Sequence, residues 1–249
     1  MHYYDELSAI EKALDLPEGS LRSIPYYARM DAAKAISKVL EMERKSIFRP
    51  GLYYIVLADL VANTSFNEKH GNAYADLRTQ WFHTAAIQAV GTIALNNYAT
   101  FNKTIGDASL LIFSSIKDVI VWSKRFDHIL GDYNTQFQNE AEFGIEGLPP
   151  VPAGKLTELS TDFALRARRL VHAGEVRYAG FNDPLSLAVS QTFKMEKSFT
   201  QQHLGCTELV ATTVKPELVE LGYQLVENAA IKIAGQETET MTYYIQPLE

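Results

Sequence analysis

Two apolar segments on either side of Gly106-Asp107 restrict the fold of this chain more than any other feature. The stretch NKTIGDASLLIF, residues 102–113, places the Gly-Asp pair between two runs of strand-forming residues. Glycine tolerates positive φ angles and aspartate tolerates turn geometry, so the pair predicts a tight turn between antiparallel strands. Asp107 is then either an ordinary turn residue or, beside a second carboxylate, a metal ligand.

The segments around this hairpin predict a sheet backed by helices. YYIVLADL (53–60) is a continuous, β-branched apolar run, typical of a central strand covered on both faces. Helices are predicted over 67–97 and 115–138, on either side of the hairpin. The remaining predicted elements are a hairpin over 163–180, a helix over 183–199, a strand over 207–214, a short helix over 216–223 and a closing hairpin over 226–247.

The order of these elements after residue 50 is β-α-β-β-α-β-α-β-α-β-β. It contains a β-α-β-β-α-β unit, so we predict an α+β fold with a ferredoxin-like core, an antiparallel sheet backed by helices. Residues 1–48 are rich in helix formers and are predicted to be an N-terminal helical extension. Residues 49–249 then form the main domain.

Composition excludes several classes of function. The chain has 249 residues, 47% of them hydrophobic, and a net charge of −7, which argues against bulk binding to nucleic acid or anionic membrane. Its single cysteine, Cys206, excludes disulfides and thiolate metal clusters. The N-terminus does not resemble a signal peptide and no apolar run is long enough to span a membrane, so we expect a cytoplasmic protein.

A second carboxylate, Asp59, closes the first predicted strand. In a β-α-β-β unit this strand lies beside the hairpin, so we expect Asp59 and Asp107 to share one edge of the sheet. Mg²⁺ favours one or two protein carboxylates together with substrate phosphates and water, whereas unpaired like charges raise each other's pKa. The spacing therefore suggests a divalent-cation site, although either aspartate could be a strand-end cap or a solvated turn residue.

An ordered set of motifs resembles the catalytic domain of the class III nucleotidyl cyclases. LADLVANT (57–64) is similar to the family's FADIVGFT, KTIGD (103–107) matches its strand-turn segment, and VHAGEV (171–176) is similar to IHTGEV. DPLSLAVSQTFKMEKSF (183–199) is similar to the helix D-x-x-G-x-x-V-N-x-x-x-R, and AIKIAGQETETMTYY (230–244) to the closing hairpin V-K-G…TYF. The resemblance covers residues 50–246 and implies that the main domain, 49–249, is a cyclase catalytic domain.

The resemblance implies a two-metal site. Asp59 and Asp107 match the two metal-binding aspartates, which implies two Mg²⁺ or Mn²⁺ ions bridging a nucleoside triphosphate. The ribose 3′-hydroxyl would then attack the α-phosphate and release pyrophosphate. The Leu60 carbonyl would meet metal, and the amides near Asn63 and Thr64, at the start of a helix, would meet phosphates.

The chain departs from the family at three other positions. Ser190 stands for the transition-state asparagine and Lys194 for the arginine that follows it, so the cation is kept but the guanidinium fork is lost. Ala234 stands for the triphosphate-binding lysine, and Lys232, two residues earlier on the same face of a strand, is its expected replacement. Both lysines could equally be solvated surface charges, which leaves open a catalytically weakened nucleotide-binding module.

The base-recognition positions suggest a pyrimidine. Phe101 stands where adenylate cyclases have lysine and could stack on a smaller base, or simply fill the core, while Asp183 can accept a proton from uracil, cytosine or adenine. This pattern resembles the bacterial Pycsar cyclases, which make cyclic UMP or cyclic CMP as an alarm signal during phage infection. The residues do not separate UTP from CTP. We expect UTP as substrate because that group mostly makes cyclic UMP, with an adenylate cyclase of altered pocket as the alternative.

The resemblance also implies a homodimer, because the family builds each active site from two subunits. Asp59 and Asp107 of one subunit would work with Asp183, Ser190 and Lys194 of the other.

Overall fold

The computed structural model describes residues 52–91, 101–145, 147–151, 154–178, 184–200, 203–233 and 237–248. The predicted helical extension at 1–48 lies outside these residues, so the domain boundary stays a prediction. The strands are β1 (Leu52–Leu60), β2 (Phe101–Ile105), β3 (Ala108–Phe113), β4 (Ala167–Glu175), β5 (Arg177–Tyr178), β6 (Pro184–Leu185), β7 (Leu204–Thr207), β8 (Tyr223–Lys232) and β9 (Glu239–Pro247). The helices are α1 (Asn63–His70), α2 (Asn72–Val90), α3 (Ile116–Ala141), α4 (Leu156–Phe163), α5 (Leu187–Met195) and α6 (Glu208–Glu220), with a 3₁₀ turn at Glu196–Ser198.

Seven strands form one sheet in the order β2-β3-β1-β4-β7-β9-β8. Neighbouring strands are antiparallel except β4 and β7, which run parallel. The first four strands of this order, with α1, α2 and α3 as connections, are the predicted β-α-β-β-α-β unit. The α+β fold and the ferredoxin-like core are therefore confirmed.

The continuous apolar run of β1 is explained by cover on both faces of the sheet. Alternate side chains such as Val56 and Ala58 belong to a core built with the aromatic residues of α2 and α3, including Phe82 and Trp122. The other set, Tyr53, Ile55 and Leu57, belongs to a second core that includes Ala188, Val189 and Met195 of α5. Because side chains alternate along a strand, Asp59 faces this second side, beneath the helix α5.

Two predicted elements are wrong, because tertiary packing determines the secondary structure of these segments. The predicted hairpin over 163–180 is the end of α4 followed by β4, whose alternation is that of a single strand paired with β1 and β7. The predicted strand over 207–214 and the short helix after it are one helix, α6, which continues through Pro216. Its buried residues, Val210, Ala211, Val214 and Leu218, repeat at helical spacing, and this pattern outweighs the β-propensity of valine and threonine.

Helix boundaries were also shifted. As far as Gly91, the helix predicted over 67–97 is two helices, α1 and α2, separated at Gly71, which has a φ of 85°. Residues 92–97 of that prediction lie outside the described residues. The helix predicted over 183–199 begins only at Leu187, because Ser186 is its N-cap and accepts a hydrogen bond from the Val189 N–H at 3.1 Å. The helix predicted over 115–138 and the closing hairpin are confirmed as α3 and the β8–β9 pair.

Within the described parts of the chain, no helix combines the length and hydrophobicity that a membrane crossing requires.

Candidate active site

The structure brings Asp59 and Asp107 together at one edge of two adjacent strands. Asp59 is the second-last residue of β1, and its backbone partner on β3 is Ala108, the residue after Asp107. The turn at Gly106-Asp107 lies against β1, since the Leu60 N–H donates to the Asp107 carbonyl oxygen at 3.2 Å. The positive φ of Gly106, 60°, permits the tight turn that places Asp107 there.

The environment of Asp59 opposes its negative charge. Burial, the nearby charge and hydrogen bond of Glu196, and the charge of Asp107 together raise the pKa of Asp59 to about 7, while Arg168 acts in the opposite direction. A divalent cation between Asp59 and Asp107 would compensate this unfavourable charge. The donor set therefore fits Mg²⁺ or Mn²⁺, which bind oxygen ligands.

The cation site would depend on few protein ligands. Among the residues that the structure describes, no group of three or more His, Cys, Asp or Glu side chains has the geometry to hold a metal ion. The two carboxylates would be completed by main-chain oxygens such as the Leu60 carbonyl, by water and by substrate phosphates, which is the usual pattern for Mg²⁺.

Arg168 and Glu196 form an ion pair beside Asp59 that the sequence analysis missed. Arg168 lies opposite Asp59 on β4, and its Nη1 is 2.6 Å from Glu196 Oε1. The alternation of β4 could have placed Arg168 on the same face as Asp59. Glu196 gave no such signal, because it reaches the site only through the packing of α5 against the sheet.

The start of α1 provides main-chain donors next to the two aspartates. Ala62, with a φ of 60°, precedes the helix and provides no side-chain cap, and the first helical bond runs from the Phe66 N–H to the Ala62 carbonyl. The N–H groups of the first turn, including those of Asn63 and Thr64, suit phosphate oxygens. The Asn63 side chain is engaged instead with Thr79 and Arg78, each at 3.2 Å, so its contribution to a ligand would come from the backbone.

Arg78 stabilises this turn through hydrogen bonds to main-chain carbonyls, and its role was not predicted from the sequence. It is fully buried, and it donates hydrogen bonds to the carbonyls of Val61 at 2.8 Å, Phe163 at 2.9 Å and Ala164 at 3.2 Å. Burial lowers its pKa to about 10. A sequence signal existed, because Arg78 occupies a position in the buried stripe of α2, four residues from both Tyr74 and Phe82.

The other expected substrate residues are placed on the surrounding elements. Ser190 and Lys194 are both exposed and lie one helical turn apart on α5. Lys232 is exposed at the end of β8, opposite Glu239. Phe101 begins β2, opposite Ile112. Asp183 lies outside the described residues.

Comparisons with known proteins identify the class of fold. No family model and no curated protein matches the sequence. The structure is similar to the adenylyl cyclase CyaB from P. aeruginosa, with 13% identity, a TM-score of 0.57 and coverage of 81% of this chain and 96% of that chain. It is also similar to an adenylate cyclase from Trypanosoma brucei, with 15% identity, a TM-score of 0.55 and coverage of 78% and 89%.

A third similar structure is the guanylate cyclase domain of RhGC from Catenaria anguillulae, solved in complex with GTP. It has 12% identity, a TM-score of 0.51 and coverage of 80% of this chain and 97% of that chain. These likenesses establish that the chain has the fold of class III cyclase catalytic domains, as the sequence predicted.

Proposed function

We propose that this protein is a nucleotidyl cyclase that converts a nucleoside triphosphate into its 3′,5′-cyclic monophosphate and pyrophosphate. One observation carries the proposal: Asp59 and Asp107 lie together at the ends of adjacent strands, close enough for the charge of Asp107 to raise the pKa of Asp59. The shared fold supports it, because solved proteins with this architecture are cyclases by name.

The roles of the residues follow from their chemistry. Asp59, Asp107 and the Leu60 carbonyl would hold Mg²⁺ or Mn²⁺, and the bound ions would activate the 3′-hydroxyl and offset the charge on the triphosphate. The first-turn N–H groups of α1 would bind phosphate oxygens. A new bond forms between the 3′-oxygen and the α-phosphorus, the bond to the β-phosphate oxygen breaks, and the hydroxyl proton passes to solvent.

Three further side chains would act on the charge that develops during this step. Lys194 would place its ammonium group near the α-phosphate, and the Ser190 hydroxyl would donate a hydrogen bond to the same group. Lys232 would bind the terminal phosphates. In our proposal Ser190 and Lys194 are supplied by the second subunit of a homodimer, so that each active site contains residues of both chains.

The preferred substrate in this proposal is a pyrimidine triphosphate, with UTP ahead of CTP. Phe101 in place of a lysine removes a hydrogen-bond donor to a purine ring, and Asp183 can accept a hydrogen bond from the N3–H of uracil.

The product would serve as an antiphage second messenger. Cells that carry the intact chain should then accumulate the cyclic product on phage infection, and cells that carry Asp59→Asn should not.

Incubation of the purified full chain with Mn²⁺ and each of ATP, GTP, CTP and UTP tests both activity and base choice. Product masses identify the cyclic nucleotide, and cyclic UMP from UTP is the expected result. Cyclic AMP alone would keep the reaction but overturn the pyrimidine assignment. Triphosphate binding without cyclic product would overturn the reaction and indicate a binding module.

A further inference from the structure

An open cleft lies on the far side of α5 from the first strands of the sheet. It has a volume of about 530 Å³ and is lined by β4, the first half of α5, the β7–α6 junction and the facing ends of β8 and β9. This volume is within the range of small-molecule sites.

The cleft lies apart from Asp59 and Phe101 of the candidate active site. His172, which lines it, belongs to one row across the sheet with Ile55, Ile112 and Phe101. Three strand spacings, about 14 Å, therefore separate the backbones of His172 and Phe101, and α5 packs over the intervening strands β1 and β4. Asp59 lies opposite Arg168, four residues along β4 from His172, which corresponds to about 13 Å.

A buried chain of polar side chains forms the floor of the cleft. His172 Nδ1 is 2.9 Å from Thr207 Oγ1, and His172 Nε2 is 3.3 Å from Gln191 Oε1. The exposed fractions of His172, Gln191 and Thr207 are 7%, 8% and 0%. Burial lowers the pKa of His172, so the imidazole is neutral at neutral pH and carries a single N–H.

A neutral His172 imidazole determines which group donates and which accepts in each of these hydrogen bonds. When Nε2–H of His172 donates to Gln191 Oε1, Nδ1 accepts from the Thr207 hydroxyl, and the Gln191 amide keeps its two N–H donors and one oxygen lone pair. No further hydrogen bond of the Gln191 amide nitrogen occurs among the residues that the structure describes. An otherwise buried amide thus presents a donor and an acceptor to the cleft.

The remaining lining disfavours anionic ligands. Ala188, Leu209 and Ile233 provide apolar walls, and no lysine or arginine is among the described lining residues. Glu175 is the one carboxylate among them. Apolar walls around one amide edge suit a flat, uncharged ring that carries its own amide edge.

We propose that this cleft binds an uncharged heterocycle with an amide edge, the chemistry shared by free nucleobases and nucleosides, through paired hydrogen bonds to Gln191. The site goes beyond the proposed cyclase reaction and does not depend on it. Gln191 lies on α5, so a ligand bound to it contacts the helix that carries Ser190 and Lys194.

Calorimetric titration of the full chain with uracil and with uridine, without metal ion or triphosphate, tests the site. Both probes should bind, and 1,3-dimethyluracil, which lacks the ring N–H, should bind more weakly. Gln191→Leu should weaken uracil binding by about tenfold or more, the usual effect of losing paired hydrogen bonds. Gln136→Leu, at an exposed position of α3, is the matched control and should leave binding unchanged. A preference for uridine over uracil would assign the site to nucleosides.

A second variant keeps the test independent of the buried amide. Leu209 lines the cleft but is 47% exposed at the start of α6, so Leu209→Trp should fill the cleft without disturbing the fold. Loss of uracil binding with an unchanged melting temperature supports the proposal. It is overturned if neither probe binds at millimolar concentration, or if both variants bind like the parent chain. Binding that requires Mn²⁺ or is abolished by Asp59→Asn would also overturn it, because the ligand would then lie at the carboxylates.

Discussion

At the scale of single residues, Asp59 is where folding and the proposed function conflict. Its carboxylate is partly buried and lies near Glu196 and Asp107, so ionisation of Asp59 costs free energy in the absence of a cation. Such an unfavourable charge is common where a protein binds a ligand that compensates it.

This conflict predicts a pH dependence of stability for the metal-free chain. The pKa of Asp59 is about 7 in the folded state against an ordinary value of 3.8, so the folded state keeps a proton that the unfolded state loses between these values. The contribution of protonated Asp59 to the free energy of unfolding is therefore fully present below pH 4 and is lost as pH rises through 7. Asp59→Asn should remove this loss and stabilise the protein by about 1–3 kcal/mol at pH 8, with little effect at pH 4.

Urea unfolding at the two pH values measures this effect. Asp76→Asn, at an exposed position of α2, is the control and should follow the parent chain. Equal stabilities of Asp59→Asn and the parent at pH 8 would show that the carboxylate is not under strain.

Arg78 should be essential for the turn after β1. Arg78→Met leaves the carbonyls of Val61, Phe163 and Ala164 without their donor inside the protein. We expect a loss of about 3 kcal/mol or more in the free energy of unfolding, measured in urea. Arg166→Met, at an exposed position, should change it little. A small loss for Arg78→Met would mean that other groups hold the turn.

At the scale of elements, the sequence predicted what local pattern determines and failed where packing decides. Periodicity or turn chemistry was unambiguous for the strand β1, the hairpin of β2 and β3, and the helix α3. The predicted adjacency of these strands was enough to predict that Asp59 and Asp107 lie close together. The β-branched first half of α6 imitated a strand, since only its buried face reveals the helix. Glu196 could not be predicted at all, because its position depends on how α5 lies on the sheet.

A close contact at Gly174 limits how near α5 can lie to the sheet. A Cβ added at Gly174 of β4 would lie 2.3 Å from the Cβ of Ala188, so Gly174→Ala must push α5 away from the sheet. We expect a loss of about 1–3 kcal/mol in the free energy of unfolding. Cyclic-nucleotide formation should also fall, because α5 carries Ser190 and Lys194.

A compensating change tests this contact directly. Gly174→Ala combined with Ala188→Gly restores the space, so the double variant should recover stability apart from the roughly 1 kcal/mol that glycine costs in a helix. Ala188→Gly alone gives that cost separately. If the double variant is as unstable as Gly174→Ala, the contact does not seat the helix.

At the scale of the whole molecule, the fold persists although identity to the similar structures is only 12–15%. A fold alone does not fix function, so the proposed activity depends on which side chains meet in the assembled protein. In the proposed homodimer, Asp59 and Lys194 of the same chain serve different active sites.

Mixing two inactive variants tests this arrangement. An Asp59→Ala chain combined with a Lys194→Ala chain should regain part of the activity, because each mixed dimer contains one site with both residues intact. Light scattering should show that each variant still forms dimers. A mixture that stays inactive while both variants dimerise would contradict sites shared between subunits.

The central claim is that Asp59 and Asp107 jointly hold divalent ions for ring closure. The most direct measurement is the rate of Mn²⁺-dependent cyclic-nucleotide formation, followed by mass, in the parent chain, Asp59→Asn, Asp107→Asn and the control Asp76→Asn. We predict that each of the first two variants loses about a hundredfold or more while remaining folded, and that the control keeps the parent rate. A folded Asp59→Asn or Asp107→Asn chain with the parent rate would contradict the claim.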